Sequence, residues 1–526
     1  MYEDDHLLAV NKPAGWNTHA PDPWAGEGVF DWLRHREPRW AELAILQRLD
    51  KETSGLLVFG KTPCAHRSLA EQFHQRKVGK EYVLLTDRPV PAGTVTARSA
   101  LVRAGERYLC RAPHAGAPLA ETTFEAAATT QGRTVVVARP RTGKTHQIRA
   151  QAAAHGFPIL GDTLYGGTPA ARMHLHAASL SLLHPVSGRP LTLRVPAEWA
   201  ADPRIALREA IIAPDETDAF RLAHGAADGC PGWYVDRLGE TLRSQGPGDC
   251  GREQWARLTT WQRHFACRHA FHQRLERRRG GAPRPGVAPL GLTGGPPAGD
   301  ITVRENGVRY ALRLWEGPSV GLFLDQRDNR RRLLTRRVGV GFDLGARGRP
   351  DPPWQVLNLF AHTCGFSLCA ALAGAQTTSV DLSHNYLEWG RENFRLNGLD
   401  PGGHEFARDD ALDRLHRLAR QGRAFDLVVL DPPTFSTSKT SGVFQAEKHY
   451  ARLVGAALPV LKAEGVLFAS TNAAGLKPGE FLDVLGAALR AARRPVLQQH
   501  YAPQPPDFPI SREEPAYLKT VWLRVG

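Results

Sequence analysis

The pattern of apolar and polar residues differs between the two halves of the chain. Over residues 1 to about 205, short apolar runs such as LLAVNK, GLLVFGK, KEYVLLT and RTVVVARP alternate with Gly/Pro turns, and a stretch near 64 to 76 is compatible with a helix. Runs of this length, rich in β-branched residues, predict strands. We therefore expect an α+β domain with a mixed, largely antiparallel sheet over residues 1–205.

From about residue 355, strand-like and helix-like segments alternate. The apolar runs WQVLNLF, TTSVDLS, FDLVVLDPP and VLFASTN are separated by segments of helical composition, such as NYLEWGRENFRLNG. Such alternation is typical of a parallel, doubly wound sheet. The pattern predicts an α/β domain with a Rossmann-like fold over residues 346–526.

Residues 206–345 are predicted to form a small β-rich connector. Paired strands are expected around DGCPG, followed by an arginine-rich segment of helical composition interleaved with aromatic residues. Arginine pairs with phosphate and aromatic rings accept unpaired bases, so this segment suits RNA, but an amphipathic helix packed on the connector would give the same pattern. The Pro/Gly-rich stretch 280–299 is predicted to be a linker or long loop, because it cannot hold a helix or a central strand.

Length and charge narrow the class of protein. The 526 residues exceed what one hydrophobic core supports, and the net charge of +14 favours a polyanionic partner, with nucleic acid first among them. The seven cysteines include no CxxC pair, so no metal site is expected. The start of the chain is acidic where a signal peptide is basic, and no apolar run is long enough for a membrane span. We expect a cytoplasmic protein without a membrane partner.

Three strings in the first half hold candidate catalytic side chains. ILQRLDKETSGLLVFGK contains Arg48 and Asp50, KEYVLLT contains Lys80 and Tyr82, and PRTGKTHQIRAQ contains Arg149. An Asp before a Thr-Ser-Gly turn is by itself often only a turn cap. In this order, however, the strings resemble the HRLDxxTSG, KxY and TGRTHQIR boxes of the RluA-type pseudouridine synthases.

That resemblance covers essentially all of residues 1–200, with Gln47 and Gln151 standing where the family usually has histidines. It implies an enzyme that turns uridine into pseudouridine without a cofactor.

The resemblance also implies a role for each of the five side chains. Asp50 would be the catalytic carboxylate, kept ionised by Arg149, although a purely structural salt bridge is the alternative for this pair. Arg48 would displace the base from its stack, and Tyr82 would pack against the extruded ring. Lys80 is expected to bind the substrate.

Acidic residues follow several predicted strands of the second half. VLNLFAHTCGFSLCAALAGA predicts a strand, a tight turn and a helix, after which Asp381 ends the next strand. In a doubly wound fold such an acid receives ribose hydroxyls, and Asp409 or Asp410 lies where an acid would meet adenine. Asp431 ends a third strand. Any one of these acids could be a simple cap, but their order favours a cofactor site.

The order NLFAHTCGFS, SVDLS, NFRLNG, RDDA and LDPPTFSTSK resembles the class I methyltransferase domains of the bacterial large-subunit ribosomal RNA methyltransferases I and K, from about residue 215 to 526. The resemblance implies S-adenosylmethionine as cofactor and a catalytic role for Asp431. It implies substrate binding by Pro433 and Phe435. In that family the FLDQR segment approaches the cofactor, which implicates Asp325, Gln326 and Arg327. The other implied cofactor-binding residues are Phe360, Thr363, Gly365, Asp381, Asp409, Asp410, Asp431 and Pro432. The usual TGG turn reads TCG here.

The methylated atom can be narrowed by chemistry. Cytosine C5 needs a cysteine that adds to C6, and the corresponding FASTNAA segment has none. Guanine N7 needs only positioning, and DPPTFSTSK is closer to the K-type enzymes, whose product is 7-methylguanine. An exocyclic amine stays open as the acceptor.

The sequence therefore predicts a bifunctional RNA-modifying enzyme acting on large-subunit ribosomal RNA. The alternative is that one half is inactive and serves the other as an RNA-binding module.

Overall fold

The computed structural model describes residues 2–114, 116, 118–275, 290–293, 297, 299–315, 319–345, 353–438 and 442–526. The chain divides into two compact units, here called the N-terminal unit (residues 1–21 and 27–210) and the C-terminal unit (residues 22–26 and 211–526). Most of the predicted loop 280–299 lies outside the described residues, but residues 290–293 within it form a strand at the edge of a sheet, which the loop prediction missed. In the part of the chain that is described, no helix is long and apolar enough to cross a bilayer.

The N-terminal unit is built on one large mixed sheet. Its strands are β1 (Tyr2–Glu3), β2 (Leu7–Lys12), β3 (Ala44–Ile45), β4 (Ser54–Gly60), β5 (Gly79–Thr86), β6 (Thr94–Ala104), β7 (Arg107–Arg111), β8 (Leu119–Thr130), β9 (Arg133–Pro140), β10 (Leu175–Leu183) and β11 (Pro190–Arg194). Its helices are α1 (Val29–Arg36), α2 (Pro63–His74), α3 (Gln147–Ala154) and α4 (Pro203–Ile211). The strand order is β1-β2-β4-β10-β5-β9-β8-β6-β7, with β3 beside β4 and β11 beside β10.

Only the pairing of β4 with β10 is parallel among the strand pairs described in this sheet. The predicted α+β fold with a largely antiparallel sheet is confirmed. Strand β4 is central and every one of its seven residues is buried. Helix α2 begins where the sequence signals a start, because the Thr62 hydroxyl accepts a hydrogen bond from the Ala65 amide and Pro63 occupies the first turn.

The C-terminal unit begins with a smaller, separate sheet. Strands β12 (Ala219–His224), β13 (Tyr234–Leu238), β14 (Thr241–Gly246), β15 (His269–Arg274) and β16 (Leu290–Thr293) form it in that order, with helix α5 (Arg252–His264) between β14 and β15. The hairpins β17 (Ile301–Glu305) with β18 (Val308–Leu312) and β19 (Arg337–Gly339) with β20 (Phe342–Asp343) flank helix α6 (Arg327–Thr335).

Two of the aromatic residues of the arginine-rich segment, Trp261 and Phe271, pack inside this small sheet domain. Trp261 of α5 is buried and stacks on Trp233 with 5.4 Å between ring centroids, and Phe271 is fully buried. These rings are therefore not presented to bases, which favours the packed amphipathic helix for this segment.

The rest of the C-terminal unit is a doubly wound α/β domain, as predicted. Its strands are β21 (Gln355–Leu359), β22 (Gln376–Asp381), β23 (Glu405–Arg408), β24 (Phe425–Leu430), β25 (Phe435–Ser438), β26 (Gly442–Gln445), β27 (Leu461–Thr471), β28 (Val496–Pro503) and β29 (Lys519–Val525). Its helices are α7 (Gly365–Leu372), α8 (His384–Leu396), α9 (Ala411–Arg420), α10 (Ala446–Ala457) and α11 (Pro478–Ala491). The sheet order is β23-β22-β21-β24-β27-β29-β28, and β25 pairs with β26 in a separate hairpin.

The strand order reverses between β21 and β24, which pair in parallel. Residues of α7 and α8 fill one apolar core cluster and residues of α9, α10 and α11 fill another. Ligands of open α/β sheets bind beyond the carboxyl ends of the strands at such a reversal. The fold therefore predicts a ligand site at the loops that follow β21, β22, β23 and β24.

Candidate active sites

A cavity of about 680 Å³ in the N-terminal unit brings together the five side chains singled out in its sequence. They belong to the turn before β4, to strand β5 and to helix α3, and they are Arg48, Asp50, Lys80, Tyr82 and Arg149. A cavity of this volume is typical of a ligand site and can accept more than one nucleotide base.

Asp50 and Arg149 line this cavity, and the buried Asp162 lies behind Arg149. The Arg149 guanidinium donates to both carboxylate oxygens of Asp162, at 2.7 and 2.8 Å, and lies 3.4 Å from Asp50 Oδ2. Asp162 is buried, whereas the Asp50 side chain is 27% exposed. Arg149 is therefore anchored by Asp162, and Asp50 is the carboxylate that faces the open space.

His146 is a further cavity residue to which the sequence argument gave no role. Its Nε2 lies 3.9 Å from Asp50 Oδ2, and its Nδ1 hydrogen-bonds with the Tyr165 hydroxyl at 3.0 Å. The backbone of His146 is left-handed, with φ 55°, immediately before α3. Burial lowers its pKa, so the imidazole is neutral and can exchange a proton with a bound group. The sequence signal that could have identified His146 is the THQIR string in which it lies.

Tyr82 and Lys80 project into the cavity from strand β5. Burial and the nearby Asp50 charge raise the pKa of the Tyr82 phenol, so it stays neutral and offers a ring face. The Lys80 ammonium donates to the Thr142 carbonyl at 3.1 Å, and burial together with the Arg76 charge lowers its pKa.

Lys12 holds the backbone next to the candidate catalytic carboxylate. Its side chain is fully buried and donates to three carbonyl oxygens, among them that of Lys51 at 3.0 Å. Burial lowers the pKa of Lys12 to about 7. The two departures from the family pattern also have local roles: Gln151 hydrogen-bonds inside the core to the Ala97 and Ala120 carbonyls, and Gln47 donates to the Leu56 carbonyl.

In the C-terminal unit, a tight loop joins β21 to α7. Phe360, His362 and Cys364 in this loop all have a left-handed backbone, with φ of 60°, 48° and 60°. The His362 amide donates to Asp381 Oδ2 at 2.8 Å, which ties the loop to the end of β22. Burial lowers the pKa of the His362 imidazole to about 4, and its Nε2 is buried with no hydrogen-bond partner among the described residues. The sequence argument did not single out this histidine.

The acids predicted after β22 and β23 lie beside one small cavity. Its lining includes Phe360, Asp381, Asp409, Asp410 and Phe444, and its volume is about 30 Å³. Burial raises the pKa of Asp381, although its carboxylate accepts two backbone amides. Asp410 caps α9 through the Leu412 and Asp413 amides, and Asp409 pairs with Arg417.

This lining suits the adenosine part of S-adenosylmethionine, because it combines aromatic walls with a carboxylate that keeps free lone pairs. The Phe360 and Phe444 rings are 5.9 Å apart. Phe444 belongs to the strand β26.

Asp431 lies at the carboxyl end of β24, next to the segment before α6. Gln326 Nε2 is 3.3 Å from both Asp431 oxygens and donates to Ser470 Oγ at 2.8 Å. Burial and the neighbouring charge of Asp325 raise the pKa of Asp431 to about 6. The Tyr517 hydroxyl donates to Asp325 at 2.8 Å. Of the FLDQR segment, Asp325 and Gln326 thus reach this site.

Other predicted cofactor residues direct their side chains elsewhere. Arg327 is buried in a double contact with Asp507, with both distances 2.8 Å. The Thr363 hydroxyl donates to the Gly321 carbonyl at 2.6 Å, and a Cβ on Gly365 would meet Arg330. Their roles toward a cofactor stay predictions.

The segment after Asp431 is open to solvent at its tip. Pro432 is buried, Pro433 is exposed and Phe435 is 58% exposed. The Thr434 hydroxyl donates to Asn472 Oδ1 at 2.7 Å, which joins this segment to the loop after β27. An exposed phenylalanine beside a buried acid is a surface on which a base can stack.

Comparison with known families agrees with the two-part architecture. The family described as RNA pseudouridylate synthase matches residues 6–154, and the family described as S-adenosylmethionine-dependent methyltransferase matches residues 251–524.

Curated relatives match the second part. A ribosomal RNA large subunit methyltransferase of Deinococcus radiodurans is 34% identical over 366 residues, covering 66% of this chain and 83% of its own length. Ribosomal RNA large subunit methyltransferase K of Neisseria meningitidis is 35% identical over 175 residues, covering 33% of this chain and 46% of its own length. A crystal structure of the protein SMU.776 complexed with SAH is 24% identical, covers 66% of this chain and 87% of that one, and superposes with a TM-score of 0.51, a likeness of fold.

Proposed function

The chain belongs to the S-adenosylmethionine-dependent methyltransferase family and carries an RNA pseudouridylate synthase domain at its N-terminus, and from this premise we propose that it is a bifunctional enzyme modifying large-subunit ribosomal RNA. One part isomerises uridine to pseudouridine, and the other methylates a base at guanine N7 or another nitrogen. The observation that carries the proposal is that each part holds one candidate catalytic carboxylate: Asp50 lines the 680 Å³ cavity, and Asp431 lies at the carboxyl end of β24.

In the synthase part, the reaction needs a carboxylate in a site that an extruded uridine can enter. Arg149, fixed by Asp162, holds its guanidinium 3.4 Å from Asp50 Oδ2. Tyr82 provides the face against which the uracil packs, and Arg48 at the exposed rim occupies the place of the displaced base.

The synthase chemistry is an isomerisation and needs no co-reactant. The bond between N1 and the ribose breaks, C5 forms the new bond to the ribose, and the C5 proton leaves while N1 gains one. Asp50 assists the bond cleavage. No cofactor is proposed for this part.

In the methyltransferase part, Asp381 would hold the ribose hydroxyls, and Phe360 and Phe444 would enclose the adenine. Bound S-adenosylmethionine supplies the methyl group. Asp431 and Gln326 then position the acceptor base: the carboxylate accepts a hydrogen bond from an amino or ring N–H, and the Gln326 amide offers a donor to a base oxygen. Positioning of this kind is sufficient for a nitrogen that already has a lone pair.

Ribosomal RNA as substrate is proposed from two kinds of support. The relatives are large-subunit ribosomal RNA methyltransferases by name, and the chain carries a net charge of +14, which suits a polyanion. An enzyme of this substrate would work in the cytoplasm.

The test is a product assay on ribosomal RNA transcripts with the full-length protein. We expect D50N to lose pseudouridine and keep the methylated base, and D431N to do the reverse. D5N and D483N are matched controls, because both residues are exposed and lie outside the described cavities. If the wild-type protein forms neither product on any transcript, the proposal is wrong.

A second candidate function is an RNA-binding role for the C-terminal unit without methylation. The specific observation in its favour is the small volume of the cavity beside Asp381, about 30 Å³ against about 680 Å³ for the cavity of the N-terminal unit. Titration of the full-length protein with S-adenosylhomocysteine in a calorimeter separates the two, since binding heat favours the methyltransferase and its absence favours the binding module.

A further inference from the structure

A basic groove opens from the side of the candidate synthase cavity. It has a volume of about 120 Å³, and its lining includes Phe73, Arg76, Lys80, Arg141, Gly143 and Lys144. We call it the basic groove. Phe73, Lys80, Gly143 and Lys144 also line the 680 Å³ cavity, so the two spaces lie side by side.

The charges of the basic groove are of one sign. Its lining contains no aspartate or glutamate. Arg141 is compensated by Glu121 at 3.3 Å, but Arg76, Lys80 and Lys144 have no acidic partner within 4.0 Å among the described residues. Three uncompensated cations around one concavity create a strong local attraction for an anion.

The backbone around the groove keeps the Lys80 ammonium accessible. Lys80 Nζ uses one donor on the Thr142 carbonyl, which leaves two N–H groups for a ligand. Position 143 is glycine, and a Cβ there would already lie 3.5 Å from Lys80 Nζ, so a longer side chain would cover the ammonium. Arg76 and Lys144 are exposed on the two sides of this opening.

A uridine extruded into the cavity remains covalently attached to its neighbours, so the flanking phosphodiester must leave the cavity through an opening that tolerates its charge. The basic groove meets this requirement. We propose that Arg76, Lys80 and Lys144 bind the RNA backbone phosphate next to the extruded uridine. This inference rests on the proposed synthase function and deepens it, because it assigns the residues that contact the RNA backbone beside the extruded uridine.

The test measures how binding of a short fluorescein-labelled oligouridylate to the full-length protein depends on salt. Each phosphate contact of a single strand contributes roughly 0.7 to the slope of log Kd against log salt. We expect R76Q/K144Q to lower the slope by about 0.7, the share of one phosphate, and to weaken binding about fivefold near 0.1 M KCl, relative to wild type. Both residues are exposed, so the variant is expected to fold.

The matched control is R67Q/R189Q, which removes the same charge from exposed positions outside both cavities. It should keep the wild-type slope. Equal slopes for the two double variants would overturn the proposal, because the loss would then reflect net charge alone. The slope is a binding measurement, so it separates this proposal from the synthase assignment, which fails only if the wild-type protein forms no pseudouridine.

Discussion

The two carboxylates beside Arg149 should respond in opposite ways to the same substitution. Asp162 is buried and receives two hydrogen bonds from Arg149, at 2.7 and 2.8 Å. Asp50 makes a single contact at 3.4 Å and is 27% exposed. The geometry therefore gives Asp162 the structural role and Asp50 the chemical one.

The expected loss of stability for each substitution follows from how deeply its ion pair with Arg149 is buried. Removing one partner of a buried ion pair costs about 3–5 kcal/mol, because the other charge stays buried without compensation. For a domain of this size D162N should lower the unfolding temperature by about 10 °C. An ion pair that is longer and partly solvated contributes about 1 kcal/mol or less, so D50N should lower the unfolding temperature by only a few degrees.

Activity should follow the reverse order. D50N should reduce pseudouridine formation by about 10²–10⁴-fold, the usual loss for a catalytic acid or base. The assay combines thermal unfolding with quantification of pseudouridine, both on the full-length protein, with D5N as control. If D50N destabilised the protein as much as D162N, Asp50 would be a structural partner of Arg149 and the assignment of roles would be refuted.

Three further predictions concern the C-terminal unit. The pKa of Asp431 is raised from 3.8 to about 6 in the folded protein, so between these pH values the folded state binds a proton that the unfolded state does not. The stability of the protein should therefore fall as pH rises through this window. Methylation that needs the carboxylate should be half-maximal near pH 6. D431N should remove that stability change; an unaltered urea-unfolding profile between pH 4 and about 6 would contradict it. D381N should weaken S-adenosylhomocysteine binding about tenfold in calorimetry, since a hydrogen bond to a charged group contributes roughly 1.5–3 kcal/mol, whereas D483N should leave it unchanged. C364G should change the affinity for S-adenosylhomocysteine less than about twofold, because the buried Cys364 thiol packs toward Gly390 rather than into the cavity. A large change would show that the thiol matters for cofactor binding.

Much of the fold and the placement of the synthase residues could be predicted from the sequence. The sequence signals used were local: apolar runs, turn residues and the three motif strings. Asp50, Tyr82 and Arg149 do line one cavity. The stronger partner of Arg149 could not be recognised in the same way. Asp162 competes with Asp50 for one guanidinium, and which carboxylate is closer depends on how α3 packs.

The cofactor region was harder to predict for the same physical reason. Arg327 and Thr363 stand in strings that suggest a ligand role, but each contacts a residue far away in sequence, Asp507 and Gly321. Gln326, which the resemblance implicated together with Arg327, contacts Asp431 instead. Side-chain direction here is fixed by long-range packing, which periodicity and spacing do not encode.

The central claim is that two independent chemical centres lie on one chain. The most direct measurement is mass-spectrometric mapping of modified positions in large-subunit ribosomal RNA from a strain that lacks the gene, complemented with wild type, D50N or D431N. The account predicts that a pseudouridine and a methylated base disappear on deletion, that D50N restores only the methylated base, and that D431N restores only the pseudouridine. Full restoration of both modifications by either variant would contradict it.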